Sequence, residues 1–576
     1  MFFSKLSTIL SALSITAPAA EVPEHELVKQ VAIIGAGPGG AAAAYFLHKF
    51  AEEEGFRVNI TVFEKSDRIG GRTLTVDAYG NASEPVELGA SIFVKENHIL
   101  VNATRDFDLS VKEPEVGTGD LLGIWNGESF VYTQDDRSYG WWNLAKLFWK
   151  YGMAPYKAQK LVRATVATFL KLYEEPHFPF KSLTERAFQL GLLDITAVPG
   201  TEFLSQNDIS EAFAHDIIQA ATRVNYASNL GFIHGLETMV SMAPEGAMQV
   251  VGGNWRIFSQ MLQHSNATVY QDTTVAHIGL RNKTDPAAPP KYLISTEAAK
   301  VGHDLPVDAE MSDDESVLRD QYAVAFDNVI VAAPWQYAGI ATDDGLLEHT
   351  VDEIPYTKLH VTLFASPFLL SPAYFGLPPG SVTPDSVLTT LGPQDKPEEG
   401  AAGVGKAGFY SLSTLRTITN PKTQKQEYLY KLFSAEEVTS KFLSEVLGAE
   451  VPATFISTET PADSDEAKVE PISWIHPHVF HSYPILYPRV SFQDPILADG
   501  LYYTPGVESF ISTMETSALM GKNVARLIAD ELAAELAAQK EAEAAKEEAE
   551  KKESVGKGES LGQQILGGDE IIPDEL

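Results

Sequence analysis

Cysteine is absent from all 576 residues of this chain. Its absence excludes a catalytic thiol, a metal or iron–sulfur site held by thiolates, and any structural disulfide. Basic residues are scarce as well. The chain has 43 lysines and arginines but 78 aspartates and glutamates, which gives a formal net charge of −35. A chain this acidic is not expected to bind nucleic acid or anionic lipid through its overall field. Its length and its 44% hydrophobic content allow a large core and two or more domains.

The apolar run at the N-terminus is short. Lys5 precedes the stretch Leu6–Ile15, and the small residues Ala17-Pro18-Ala19 follow it. Because this stretch is too short to span a bilayer, we predict a secretory signal peptide at residues 1–19.

N-x-S/T sequons agree with entry into the secretory pathway. Asn59 lies in a predicted strand, and we expect it to be buried and unmodified. Glycans are predicted at the other sequons, which are Asn81, Asn102, Asn266 and Asn282.

The clearest motif begins with the apolar run Val31–Ile34. It leads into a glycine-rich turn and an alanine-rich segment, and a second strand-like run, Val58–Phe63, ends on Glu64. The glycines form the G-x-G-x-x-G fingerprint of a dinucleotide-binding βαβ unit. They are Gly35, Gly37 and Gly40, with Gly39 in the same turn.

Each residue of this motif has a physical task. Gly35 permits the tight turn, and Gly37 lets backbone N–H groups approach a pyrophosphate at the positive end of the helix. Gly40 lets the helix and the strand pack closely. Glu64 is placed to accept hydrogen bonds from a ribose diol.

The stretch Arg68–Arg72 follows the second strand and contains Gly71. It resembles the G-G-R stretch of FAD-dependent amine oxidases, phytoene desaturases and their relatives. The resemblance implies FAD rather than NAD, with Gly71 and Arg72 in contact with it. It also implies that the segment Gly89-Ala90-Ser91 reaches the flavin and that the backbone of Val275 contacts the adenine half. Because no cysteine is available for a thioether link, we expect the FAD to be noncovalent.

A narrower resemblance comes from Gly506-x-Glu508, five intervening residues, and Met514-Glu515-x-Ser517-Ala518. Together with the motifs above, it is similar to the prenylcysteine oxidase (prenylcysteine lyase) family over roughly residues 28–536. The family implies a lysosomal-type FAD oxidase that cleaves farnesyl- or geranylgeranyl-cysteine with O₂ to cysteine, prenyl aldehyde and H₂O₂ during the breakdown of prenylated proteins. Glu508, Met514 and Glu515 are then cofactor-binding candidates. The implied location is a lysosome, a vacuole or the cell exterior.

The predicted fold is α/β: an FAD-binding Rossmann-like domain with a parallel sheet, plus an inserted, discontinuous α+β substrate-binding domain. The FAD-binding domain is expected to comprise residues 26–96, 240–345 and 466–536. The substrate-binding domain is expected to comprise residues 97–239 and 346–465.

Other segments are predicted to be loops or tails. Lys300–Gln321 and Gly392–Gly405 are expected to be flexible loops. Residues 537–576, rich in Ala, Glu and Lys, are expected to begin as a solvated helix and to run into an acidic disordered tail. The final Pro573–Leu576 is similar to an ER-retrieval tetrapeptide, but it begins with proline and is interpreted as chance.

Two alternative functions stay open. An FAD-dependent amine or polyamine oxidase is the first, although the lysine that many of these enzymes place near the flavin is missing from Trp335–Thr357. A non-catalytic flavin-fold binding protein is the second, and the intact glycines and Glu64 argue against it.

The sequence names no catalytic side chain. His98 and Glu508 are candidates for the cavity, and Glu508 is better suited to supporting the cofactor than to acting as a base. His476 and His478 stand at i, i+2 without a carboxylate or cysteine cluster, so we predict no metal site.

The segment Arg137–Tyr173 contains lysines, arginines and aromatics but no acid. One interpretation is a solvated basic face over an aromatic core. The other is a membrane-facing surface through which a prenyl chain enters.

Overall fold

The computed structural model describes residues 28–114, 121–135, 140–243, 246–281, 291–297, 325–456 and 469–565. The predicted signal peptide, Asn282, the loop Lys300–Gln321 and the C-terminal tetrapeptide lie outside these residues.

The strands within these residues are β1 (Val28–Ile34), β2 (Arg57–Phe63), β3 (Thr75–Asp77), β4 (Pro85–Glu87), β5 (Val111–Lys112), β6 (Leu121–Trp125), β7 (Phe130–Asp135), β8 (Gln249–Val250), β9 (Thr268–Tyr270), β10 (Val275–Leu280), β11 (Tyr292–Thr296), β12 (Asn328–Val331), β13 (Ala341–Thr342), β14 (Tyr356–Ser366), β15 (Ser386–Thr389), β16 (Ser411–Thr419), β17 (Gln426–Ser434), β18 (Trp474–Pro484), β19 (Ile496–Ala498) and β20 (Leu501–Tyr503).

The α-helices are α1 (Pro38–Glu54), α2 (His98–Asp106), α3 (Gly140–Tyr151), α4 (Ala154–Phe169), α5 (Leu183–Gln189), α6 (Leu193–Thr196), α7 (Gly200–Gln206), α8 (Glu211–Phe213), α9 (Gln219–Tyr226), α10 (Gly235–Val240), α11 (Trp255–His264), α12 (Trp335–Ala338), α13 (Ser440–Leu447) and α14 (Met514–Ile565).

A six-stranded sheet carries the βαβ unit. Its order is β19-β20-β12-β1-β2-β9, and every pairing is parallel except that of β19 with β20. Helix α1 packs between this sheet and α14, and the alanines Ala41–Ala44 are fully buried there. A Cβ on Gly40 would lie 1.9 Å from the carbonyl oxygen of Gly35, so only glycine permits this packing. The predicted Rossmann-like parallel sheet is confirmed.

A seven-stranded sheet faces the cavity described below. Its order is β18-β14-β17-β16-β15-β6-β7, and it is antiparallel except where β15 pairs with β6. Strands β6 and β7 come from the first predicted substrate-domain segment, and β14 to β17 come from the second. Two distant parts of the chain therefore build one sheet.

Strand β18 corrects one predicted boundary. Residue 466 was expected to return the chain to the FAD-binding domain, but Trp474–Pro484 pairs with β14 along almost its whole length. His476 and His478 lie on this strand with stacked rings. The chain rejoins the six-stranded sheet only at β19.

One segment predicted to be flexible is held by hydrogen bonds, and the solvated helix predicted after Leu536 extends further than its composition suggested. The guanidinium of Arg223 is fully buried and donates to the carbonyl oxygens of Gly403 (2.9 Å) and Val404 (2.7 Å), which fixes the end of the loop Gly392–Gly405. Helix α14 continues to Ile565, well into the predicted tail. Alanine, glutamate and lysine are strong helix formers, so a solvated segment of this composition extends a helix that is already nucleated.

Of the sequons in the described ranges, Asn81, Asn102 and Asn266 are exposed. Asn59 is exposed as well, so the prediction that it is buried is wrong. The reason is that β2 begins at the solvent edge of the sheet and becomes fully buried only towards Phe63. No helix in the described part of the chain is long and apolar enough to cross a membrane.

Candidate active site

The N-terminus of α1 is open to an anion. Gly37 is its extended N-cap residue, no side chain caps the helix, and its first turn contains no acid. Gly35 has a φ of +105°, and its N–H donates to Phe63 O at 2.8 Å, which closes the turn onto β2. Gly71 faces Gly37, because a Cβ on Gly71 would lie 3.1 Å from the Cα of Gly37. Gly37 and Gly71 thus pack backbone against backbone, and neither has a side chain that would cover this glycine slot at the positive end of the helix, which a pyrophosphate can approach.

Glu64 lies beside this turn, as the motif predicts. Its Oε2 accepts the N–H of Ala36 at 2.8 Å, and its Oε1 accepts the N–H (2.9 Å) and hydroxyl (2.7 Å) of Ser66. A carboxylate accepts about four hydrogen bonds. Glu64 is therefore held rigidly while acceptor capacity is left for a ribose hydroxyl.

The segment leading into β10 lies against the same end of β2. The N–H of Thr273 donates to Glu64 O at 2.9 Å, and the N–H of Asp272 donates to Ser66 O at 3.0 Å. The next strand begins with the buried Val275. This brings the predicted adenine-side residue to the end of the sheet that holds Glu64.

Arg72 lies at the other end of the site. It forms an ion pair with the buried Glu508 and donates to Ser482 O at 2.7 Å. The hydroxyl of Tyr356 donates to Glu508 Oε2 at 2.8 Å. Both carboxylate oxygens of Glu508 are thus engaged, and Glu508 does not line the cavity described next. Its prediction as a cavity residue is wrong, and its contacts make it a support for Arg72.

A cavity of about 550 Å³ opens next to Arg72. Of the predicted cofactor residues, Arg72, Met514, Glu515 and the segment Gly89–Ser91 line it. Most of the wall is apolar, with contributions from Leu88, Phe93, Val166, Phe169, Leu170, Leu359, Val361, Leu415, Phe433, Phe480 and Ile511. Its size and composition are those of a small-molecule site.

Glu515 has a role that the motif did not reveal. Its carboxylate accepts the backbone N–H groups of Ile99 (2.9 Å) and Leu100 (3.1 Å). An acid at this place satisfies the free N–H groups of α2 and complements its dipole. Burial raises the pKa of Glu515 to about 7, against the effect of these hydrogen bonds. The residue therefore fixes α2 against the start of α14.

His98 does not line the cavity. Its side chain is exposed, and its ring meets the edge of Tyr173 with centroids 5.7 Å apart. The prediction is wrong because His98 begins α2 on its solvent side, whereas Leu100, two residues further in the same turn, lies on the opposite side and faces the cavity.

Two charged residues of the cavity wall, Glu87 and Lys431, were missed by the sequence analysis. Glu87 precedes the flavin-side motif by two residues, which was an available signal. Lys431 stands in the run Tyr428–Phe433, where a single lysine inside an otherwise apolar strand was the available signal. Neither pattern shows that the two residues meet, because β4 and β17 are far apart in the chain.

Comparison with known proteins agrees with this geometry. A family model described as Prenylcysteine lyase matches residues 134–541, and one described as NAD(P)-binding Rossmann-like domain matches residues 33–104. Farnesylcysteine lyase of Arabidopsis thaliana is 28% identical over 522 residues, covering 88% of this chain and 89% of that protein. Prenylcysteine oxidase 1 of Pongo abelii is 27% identical over 520 residues, covering 86% and 88%.

Among solved structures, cyclohexylamine oxidase from Brevibacterium oxydans aligns with a TM-score of 0.50 at 14% identity, covering 88% of this chain and 99% of that one. At this identity the likeness shows the fold alone. The sequence match is more specific, since one family model covers residues 134–541, which include β14 to β18 of the seven-stranded sheet and β12, β19 and β20 of the six-stranded sheet. The chain belongs to the prenylcysteine lyase family.

Proposed function

We propose that this protein is an FAD-dependent oxidase that cleaves the thioether of farnesyl- or geranylgeranyl-cysteine. The substrate, O₂ and water would give free cysteine, the prenyl aldehyde and H₂O₂. The proposal rests on the apolar wall of the cavity, which adjoins the segment Gly89–Ser91. The names of the relatives in Arabidopsis thaliana and Pongo abelii agree with this chemistry.

The apolar wall suits a prenyl chain. Burial of each CH₂ is worth about 0.8 kcal/mol, so a chain of isoprene units can draw most of its binding free energy from such contacts. Helix α4 contributes Val166 and Phe169, and β14 contributes Leu359 and Val361. These side chains would align the chain and keep bulk water away from the reacting carbon.

The residues present fit FAD, held noncovalently. The glycine slot at the start of α1 suits the pyrophosphate, Glu64 suits a ribose, and the surroundings of Val275 suit the adenine half. When bound, FAD would take a hydride from the allylic carbon next to sulfur and pass the electrons to O₂. Arg72 would supply a fixed positive charge at the cavity end, since the carboxylate of Glu508 keeps its pKa high in spite of burial. Acid precipitation should release the flavin, and flavin retained by the pellet would contradict noncovalent binding.

An amine-oxidase activity is the competing function. The sequence argued against an amine oxidase because Trp335–Thr357 contains no lysine. That argument is weaker in the structure, because Lys431 from β17 lines the cavity. The two functions are separated by adding farnesylcysteine or spermine to the oxidised enzyme without O₂. Bleaching of the flavin by farnesylcysteine alone supports the thioether oxidase, and bleaching by spermine alone overturns it.

We also propose that α3 and α4 contact a membrane. Trp149 is 92% exposed, and Met153 and Tyr156 are more than half exposed at the corner where these helices meet. The other end of α4 lines the cavity with Phe169, about 20 Å away at 1.5 Å per residue. A prenyl chain drawn from a bilayer at this corner would follow α4 to the cavity.

The proposed location is the secretory pathway, ending in a lysosome, a vacuole or outside the cell. The sequence at residues 1–19 has the order of a signal peptide, and the exposed sequons at Asn81, Asn102 and Asn266 are accessible to glycosylation. A loss of mass after glycosidase treatment of the protein from its native cells would test this, and an unchanged mass would contradict it.

A further inference from the structure

A buried acid and a buried base lie side by side on the cavity wall. Glu87 ends β4, Lys431 stands in the middle of β17, and each side chain is more than nine-tenths buried. The wall around them is apolar, formed by Leu88, Phe93, Phe433 and Phe480 among others. Charges in such surroundings cost free energy unless they are paired and hydrogen-bonded.

The hydrogen bonds of Glu87 are incomplete. Its Oε1 accepts the N–H of Asn254 at 2.6 Å, which fixes the turn before α11. Its Oε2 is buried without a hydrogen-bond partner in the described part of the chain. The structural task of this residue is therefore met by one oxygen, and the other is a free acceptor. A buried acceptor without a partner needs an explanation, and a donor that arrives with a ligand supplies one.

Lys431 is held by hydrogen bonds next to Glu87. Its Nζ donates to the backbone carbonyl oxygen of Glu87 at 2.8 Å and to Ser91 Oγ at 2.7 Å. An ammonium has three donors, so these bonds leave one over. Ser91 Oγ in turn donates to Gly89 O at 2.7 Å, which anchors the lysine to the flavin-side segment. Burial raises the pKa of Glu87 and lowers that of Lys431, while the opposite charge of each partner counteracts the shift.

We propose that Glu87 and Lys431 bind the amino-acid head of the prenylcysteine. Glu87 Oε2 would accept a hydrogen bond from the α-ammonium, and Lys431 Nζ would donate one to the α-carboxylate. An α-amino acid carries these opposite charges on one carbon, and it is complementary to an acid and a base that are close to each other on one cavity wall. This inference rests on the proposed function and names the residues that select its substrate.

The arrangement also sets the position of the reacting carbon. One methylene and the sulfur separate the α-carbon of the substrate from the allylic carbon. A head held beside Ser91 would therefore leave the allylic carbon close to the segment Gly89–Ser91. The prenyl chain would continue along the apolar wall. Polar recognition of the head and apolar recognition of the tail would then fix the substrate at both ends.

The test uses the holoenzyme without O₂ and three ligands. They are S-farnesylcysteine, its deamino analogue S-farnesyl-3-mercaptopropionate, and its decarboxy analogue S-farnesylcysteamine. Dissociation constants are taken from the dependence of the flavin reduction rate on ligand concentration, because each ligand carries the oxidisable thioether. Wild type should bind farnesylcysteine about 10- to 100-fold more tightly than either analogue, the range expected for one charged hydrogen bond.

The variants should separate the two contacts. Glu87→Gln should bind farnesylcysteine and the deamino analogue equally, while still preferring a carboxylate. Lys431→Gln should bind farnesylcysteine and the decarboxy analogue equally, while still preferring a ligand with an ammonium group. Glu427→Gln is the matched control, because Glu427 is a buried acid on the same strand that accepts from Asn420 (2.7 Å) and lies outside the cavity wall. It should keep both preferences.

Several outcomes would overturn the inference. One is a wild type that binds all three ligands equally. Another is a flavin-replete Glu87→Gln protein that still prefers farnesylcysteine to the deamino analogue. The third is a pair of variants that lose flavin but still discriminate among the ligands, which would mean that Glu87 and Lys431 contact the cofactor. Failure of the proposed function looks different, since none of the three ligands would then perturb the wild-type flavin.

Discussion

Arg72 and Glu508 form an ion pair although 436 positions separate them in the chain. Arg72 follows the first βα unit, and Glu508 lies in the turn before α14. The pair joins the first and last parts of the six-stranded sheet at the mouth of the cavity. Glu508 is the buried partner, and removing its charge would leave Arg72 without its counter-charge.

The first prediction concerns this pair. Glu508→Gln should leave Arg72 less firmly held and lower the flavin content of the purified protein several-fold. The ratio of flavin absorbance to protein absorbance measures it. Tyr356→Phe is the matched control, since it removes only the hydroxyl that donates to Glu508 Oε2, and it should keep most of the flavin. Full flavin content in Glu508→Gln would show that the pair does not support the cofactor.

The second prediction concerns the glycine slot. A Cβ on Gly37 would meet only Gly71, at 3.7 Å from its Cα, so Gly37→Val should fold but fill the space intended for the pyrophosphate. The protein should be soluble, should melt cooperatively and should be colourless. Gly40→Ala should instead fail to fold, because its Cβ would lie 1.9 Å from Gly35 O. A yellow Gly37→Val protein would contradict the binding mode.

The βαβ unit could be predicted because its signals are local. The φ of Gly35 and the close packing of Gly40 are demands of one turn, and they are visible as glycines in the sequence. The pairing of Glu87 with Lys431 has no such signal, because it depends on the register of two strands in different sheets. The same holds for Arg223, whose hydrogen bonds order a loop about 180 residues away. His98 was placed wrongly because residues two positions apart lie on opposite sides of a helix, so that His98 faces solvent while Leu100 faces the cavity.

The third prediction concerns pH. Glu237 is fully buried, one of its oxygens lacks a hydrogen-bond partner among the described residues, and burial raises its pKa to about 8. The folded state therefore holds this proton at pH values where the unfolded state releases it. The resulting stabilisation is complete below the unfolded pKa and is lost as pH rises through about 8.

The useful window lies between pH 6.5 and about 8. Burial lowers the pKa of the neighbouring His234 from 6.5 to about 4. Below pH 6.5 this histidine therefore makes stability rise with pH, which is opposite to the effect of Glu237. Within the window the free energy of unfolding of the wild type should fall by at most about 2 kcal/mol through Glu237. Glu237→Gln should flatten this slope in urea titrations at several pH values. A variant with the wild-type slope would contradict the assignment.

The last prediction concerns the corner of α3 and α4. Lys146, Lys157 and Lys160 are exposed around Trp149, and they offer cations for anionic headgroups beside an aromatic that can enter the interface. Lys150 is left unchanged, because it pairs with Asp216 at 2.8 Å and supports the fold. Changing the three lysines to Glu, or Trp149→Ser alone, should weaken cosedimentation with vesicles containing phosphatidylserine. The effect of the lysines should fade as salt is raised, since screening shortens the reach of their charge.

Turnover separates this surface from the active site. Oxidation of vesicle-borne farnesylcysteine should fall in these variants, while oxidation of the detergent-dispersed substrate should stay near the wild-type rate. The control carries the same charge change elsewhere, at the exposed Lys396, Lys422 and Lys425. The two triple variants have the same net charge. If the position of the charges matters, the control variant should therefore sediment with vesicles like the wild type. Equal loss of vesicle binding in both triple variants would show that only net charge matters, and α3 and α4 would then be an ordinary solvated face.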